Sequence, residues 1–135
     1  MRSRHIKFLW LIPAALLVTG GGLFAEYRKE QHDLRLKAEA LTGGSIKRGE
    51  RAFIAYGCGG CHSITGTTQA SGMVGPPLTG VAGRAIIGGR LENKPENLML
   101  WIMKPQQVSP GTAMPNLGVK PADARDISAF LYMQS

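Results

Sequence analysis

The chain has 135 residues, 44% of them hydrophobic, with a formal net charge of +7, two cysteines and three histidines. That composition excludes an intrinsically disordered chain and a disulfide-dense scaffold, and a single long apolar run excludes a polytopic membrane protein. The basic residues of the C-terminal two thirds are scattered without a Lys/Arg run or aromatic interleaving, so nucleic-acid binding is not expected.

Residues 1–7 are a basic segment carrying Arg2, Arg4 and Lys7, and residues 8–25 follow without a charge. As a helix those 18 residues would reach roughly 27 Å, close to the ~30 Å hydrocarbon core, so 8–25 is expected to be a transmembrane anchor. A cleaved signal peptide has the same basic start and apolar centre. Cleavage after Ala25 would put Leu23 where a small residue is wanted; cleavage after Gly21 would put Thr19 there, which is acceptable. The retained anchor is the expected reading, with the denser N-terminal cluster of positive charge on the inside.

Residues 26–44 form a charged stalk, rich in Glu, Lys, Arg, Leu and Ala up to Leu41 and therefore expected to be helical. Thr42-Gly43-Gly44-Ser45 is then expected to break the helix and act as a hinge for a domain at 45–135.

That domain reads as all-α. Ser45–Tyr56 is expected as a helix with Ser45 as N-cap, Pro95–Met103 as a second with Pro at its first turn, and Lys120–Gln134 as a third opened by Pro121. In the last helix Ala124, Ile127, Phe130 and Leu131 make an apolar stripe. Residues 63–90 read as loop, and no alternating strand stands out. Three or more short helices around long loops make a thin core, so a ligand is expected to fill it.

Gly57-Cys58-Gly59-Gly60-Cys61-His62 contains both cysteines of the chain. Cys-x-x-Cys-His is the attachment signature of c-type haem. Two thiols one turn apart can add to the two vinyl groups on one porphyrin edge, and the adjacent imidazole reaches the iron. Gly59 and Gly60 are expected to keep side chains out of that approach. A zinc site would lack its fourth ligand, a thioredoxin-like dithiol would lack its βαβ frame, and a disulfide would leave the core unfilled.

A second axial ligand is sought among six methionines. Met114 lies in Pro110-Gly111-Thr112-Ala113-Met114-Pro115, an irregular loop able to aim a thioether, whereas Met99 and Met103 sit at helical spacing and suit core packing. A methionine filling an apolar gap is the plain alternative for Met114.

Cys58-x-x-Cys61-His62, Gly75-Pro76-Pro77-Leu78, Trp101-Ile102-x-x-Pro105-Gln106, Pro110-Gly111-x-x-Met114-Pro115 and the closing Phe130-Leu131 helix together resemble class I cytochrome c from about Ser45 to the end. The stretches 95–119 and 123–127 look most like the cytochrome c domain of bacterial haem–copper oxidase subunit II, of which only the haem module is matched.

The resemblance implies a cytochrome c fold with one covalent haem c held by Cys58 and Cys61. His62 and Met114 would be the axial iron ligands, with the Pro76 carbonyl bonded to the other nitrogen of His62. It places Trp101 and Arg84 near the haem propionates; a core aromatic and a surface charge are equally open readings of them. Gly49 would let the first helix of the domain cross closely against Phe130, which stands where the family often has Tyr.

The function so implied is a membrane-tethered single-electron carrier of a respiratory chain, not an enzyme and with no small-molecule substrate. A quinol-oxidising complex is the expected donor and a haem–copper oxidase the expected acceptor. Because c-type attachment in this family takes place outside the bacterial cytoplasmic membrane, the domain is expected on the periplasmic side. A peroxidase would need an open iron position and a gas sensor a signalling domain; neither is suggested by the sequence.

Overall fold

The computed structural model describes residues 4–134, with side chains from Thr19 onward. The chain divides into two units with the boundary between Leu34 and Arg35. Helix α1 (Arg4–Thr42) forms the whole of the first unit's described backbone and continues into the second. In the first unit Leu23, Phe24 and Tyr27 are exposed, and the Arg28 guanidinium lies 5.8 Å from the centre of the Phe24 ring. Among the described residues no helix is long and apolar enough to cross a membrane. Most side chains of the expected anchor at 8–25 lie outside the described residues.

The second unit is mostly helical. In chain order it contains the end of α1, α2 (Ile46–Ala55), a 3₁₀ turn at Cys58–Gly60 and another at Val81–Gly83. The paired strands β1 (Ile86–Ile87) and β2 (Leu91–Glu92) follow, then α3 (Pro95–Met103), α4 (Pro105–Val108) and α5 (Pro121–Tyr132). Proline opens α3, α4 and α5 because its fixed φ suits the first turn and its missing N–H has no partner to lose there. The antiparallel pair, Ile86 opposite Glu92 and Ile87 opposite Leu91, was not expected. Two residues per strand are too few to leave an alternating pattern in the sequence.

The expected hinge at 42–45 is instead a fastened turn. Thr42 Oγ1 donates to the Ala38 carbonyl at 2.8 Å and accepts the Gly44 N–H at 3.1 Å, and both Ala38 and Thr42 are buried. Gly43 takes φ +67°, which favours glycine. A Cβ on Gly44 would lie 2.4 Å from the Arg125 carbonyl oxygen, so the chain presses directly on α5.

Ser45 does not cap α2 through its side chain. The reversal brings α1 beside the start of α2, where Glu39 Oε1 accepts the Ile46 N–H at 2.9 Å, while the Ser45 N–H donates to Asp126 Oδ1 at 2.7 Å. Groups from neighbouring helices do the work assigned to the local hydroxyl.

Helices α2 and α5 cross at Gly49, where a Cβ would stand 1.9 Å from the Asp126 carbonyl oxygen and 2.9 Å from Phe130 Cβ. The contact continues in Phe53 against Phe130, with ring centres 5.5 Å apart and planes tilted by 57°. Helix α3 packs its Leu98 and Ile102 into the same core, with Ile127 and Leu131 of α5 and Val81 from the loop. These elements frame one side of a cavity.

Candidate functional site

Helix α2 ends just before the cysteine motif, and the 3₁₀ turn is closed by the Cys58 carbonyl. That oxygen accepts from the N–H of Cys61 at 3.2 Å and of His62 at 3.0 Å. The two thiols therefore sit one turn apart with the imidazole immediately beyond. Residues 63–78 fold back onto the motif through Gly72 N–H to Gly59 O (3.0 Å) and Gly75 N–H to Cys61 O (2.8 Å), and Leu78 N–H to Ser63 O (2.7 Å) closes the loop on itself. A Cβ on Gly59 would lie 1.9 Å from the Gln69 carbonyl oxygen. This glycine is required by the returning loop.

The half-buried His62 ring is held from two directions. Its Nδ1–H donates to the Pro76 carbonyl at 2.8 Å, a direction settled because a carbonyl can only accept. In the neutral ring this leaves Nε2 as the nitrogen able to bind a metal. A Cβ on Gly75 would stand 2.3 Å from His62 Cε1, so the bare glycine backbone packs against the ring.

Cys58, Cys61, His62, Pro76, Arg84, Trp101 and Met114 all line one cavity of about 370 Å³. Its other walls are mainly apolar, with Phe53, Leu98, Ile127 and Leu131 among them. Burial pushes the Cys58 thiol above the usual cysteine range, which keeps it protonated near neutral pH.

Among the described residues Met114 is the one methionine on the cavity wall. Met73 is 93% exposed, and Met99, Met103 and Met133 pack against the core elsewhere. The Arg84 guanidinium donates to the Pro77 carbonyl, next to the one that holds His62. Trp101 is half-buried against the core as well as lining the cavity.

Two organising residues were given no role from the sequence. Asn93 Nδ2 donates to the carbonyls of Val81 and Arg84, each at 2.8 Å, while its Oδ1 accepts from the Tyr132 hydroxyl at 2.8 Å. Gln106 Nε2 donates to the Thr112 carbonyl at 2.6 Å and the Met114 carbonyl at 2.8 Å. The partners of both are mainly carbonyls, which carry no sequence signature. The appearance of Gln106 directly after Pro105 was the one available signal.

An apolar chamber with two thiols at one edge, an imidazole nitrogen and a thioether suits an iron porphyrin: the thiols can anchor it and the soft sulfur and imidazole can ligate it. A family profile described as cytochrome c matches residues 46–134. The chain belongs to the cytochrome c family.

Membership of the cytochrome c family implies haem. Among curated relatives, cytochrome c oxidase subunit 2 of Alkalihalophilus pseudofirmus is 36% identical over 90 residues, which is 67% of this chain and 25% of that protein. The protein of the same name from Bacillus sp. PS3 is 35% identical over 80 residues, 58% of this chain and 22% of that protein. The Bacillus subtilis one is 24% identical over 113 residues, 82% of this chain and 31% of that protein. The cytochrome c chain thus spans about a quarter of the length of the curated relatives it matches. No solved structure matches it.

Proposed function

We propose that this chain is a membrane-tethered c-type cytochrome with one covalent haem, carrying single electrons in a bacterial respiratory chain to or within a haem–copper terminal oxidase. The observation that carries the reading is the single cavity shared by Cys58, Cys61, His62 and Met114. Cys58 and Cys61 would hold the group through thioether bonds, and His62 Nε2 and the Met114 sulfur would be the axial donors. Bound there, the group would supply a ferric/ferrous couple.

The surrounding residues tune that couple. Pro76 keeps the His62 proton on Nδ1 and raises the basicity of Nε2. Phe53, Leu98, Ile127 and Leu131 exclude water, and the Met114 thioether favours the lower charge state. Arg84 and Trp101 line the same cavity, where they would meet the carboxylates of the group.

The uncharged run 8–25 supports a membrane anchor that holds the domain on the periplasmic side and raises its effective concentration beside its partners. The oxidase subunits it resembles support an oxidase as acceptor, and a quinol-oxidising complex would be the donor.

The test is purification of the full chain from detergent-solubilised membranes. The intact mass should exceed that of the bare polypeptide by one haem, the reduced spectrum should be that of a c-type cytochrome, and oxidase subunits should co-purify. A colourless chain with the bare mass, or a reduced form that binds carbon monoxide at once, would overturn the reading.

A further inference from the structure

The loop that carries Met114 has little main-chain structure of its own. From Pro110 to Val119, among the described residues, the main chain donates one hydrogen bond to other main chain, Thr112 N–H to Ser109 O at 3.1 Å. What closes the loop is a side chain. Gln106 Nε2 donates to Thr112 O at 2.6 Å and to Met114 O at 2.8 Å, and Gln106 Oε1 accepts the Gly111 N–H at 3.3 Å.

The carboxamide is thereby used to its full donor capacity, two hydrogens on two carbonyls, with its oxygen on an N–H. This pattern also fixes which end is nitrogen, since the two carbonyls require donors. Neither a carboxylate nor an alkyl chain can reproduce it: the first has no donor at neutral pH, the second no polar atom at all. The base of the clamp is firm, because Pro105, one residue earlier, is fully buried.

We propose that Gln106 is the positioning residue of the Met114 loop, its carboxamide holding the loop in the conformation that offers the thioether to the iron. The proposal rests on the reading of Met114 as the second axial ligand. Gln106 acts on the iron only through that loop. Loss of the clamp shifts the loop toward conformations in which the sulfur is away and an external ligand competes better.

The experiment uses the full-length, haem-loaded chain in detergent with four variants: Gln106→Glu, Gln106→Leu, Met114→Ala and Thr42→Val. Two quantities are read on the ferric form: imidazole affinity by absorbance, and the far-red band characteristic of sulfur-ligated haem. Both Gln106 variants should bind imidazole about five- to thirtyfold more tightly, the ratio that one to two lost hydrogen bonds of ordinary net strength correspond to, with a weakened far-red band.

Thr42→Val removes a buried hydroxyl bond far along the chain from the loop. It should lower thermal stability while leaving imidazole affinity alone, which separates positioning from general loosening. Gln106→Glu keeps the side-chain length and the acceptor for Gly111, so it decides the matter where Gln106→Leu fails to fold. Unchanged affinity in Gln106→Glu, with a large rise in Met114→Ala, would overturn the role of Gln106 and leave the ligand reading standing. A far-red band that survives Met114→Ala would overturn the ligand reading and the clamp with it.

Discussion

Arg48 of α2 grips Asp126 of α5 with Nε 2.6 Å from Oδ2 and Nη2 2.9 Å from Oδ1. The same carboxylate receives the Ser45 N–H at 2.7 Å. One buried acid therefore joins the start of α2 to the terminal helix, and the hydrogen bond from Arg48 holds its carboxyl below the usual aspartate range. The Arg48 side chain is 61% exposed against 10% for Asp126, so water and salt screen the charge pair from one side.

A depressed folded-state value stabilises the protein above the ordinary aspartate range, and that stabilisation is lost as pH falls through the folded value. Asp126→Asn keeps an acceptor for Ser45 but gives up the charge. Thermal melting should show the variant less stable than the parent near neutral pH, with the gap narrowing as the solution is acidified below the ordinary aspartate range. An equal gap at neutral and acidic pH would show that the charge of Asp126 contributes nothing.

Gly49→Ala tests the crossing of α2 over α5. The added methyl would fall 1.9 Å from the Asp126 carbonyl oxygen and 2.5 Å from its carbon, and backbone atoms cannot swing aside as a side-chain tip can. The helices must separate, loosening Phe53 against Phe130. Overpacking of this kind costs about 3 kcal/mol, measurable as a lower urea midpoint. A midpoint unchanged within error would mean that the crossing has slack.

Gly75→Ala acts on the site itself. Its Cβ would lie 2.3 Å from His62 Cε1 and 2.6 Å from Nδ1, so the imidazole must turn and its bond to Pro76 O must lengthen. With Nδ1–H less firmly held, the ring becomes a weaker donor through Nε2. The midpoint potential should move, and the yield of haem-loaded protein should fall. Potentiometric titration beside the parent checks this; an identical potential would show that the ring tolerates the methyl.

The order of elements was readable where one residue type has one local consequence. Proline at 95 and 121 marked helix starts, and the spacing of Ala124, Ile127, Phe130 and Leu131 marked the buried stripe. The two cysteines and His62 stood out because covalent attachment of a haem would allow little other spacing. Gly43-Gly44 misled as a hinge because glycine serves equally for freedom and for close packing. Here Gly43 takes a positive φ and Gly44 meets the Arg125 backbone. Ser45 misled likewise, since a cap can come from any acceptor that tertiary structure brings near, and Glu39 was nearer. The clamps of Gln106 and Asn93 were hidden because carbonyls at distant positions leave no trace in residue identity.

The cavity sets the last expectation. Until a group fills it, a cavity of about 370 Å³ leaves its apolar walls without packing partners on one side. Replacing both Cys58 and Cys61 with Ser removes the means of covalent attachment without altering helix propensity nearby. The purified double variant should carry no covalent haem. It should also lack a cooperative thermal transition for the domain from Arg35 onward, followed by near-ultraviolet circular dichroism of Trp101, the tryptophan of that unit. A colourless variant with a sharp transition and native aromatic signal would mean that the helices hold themselves together around an empty chamber.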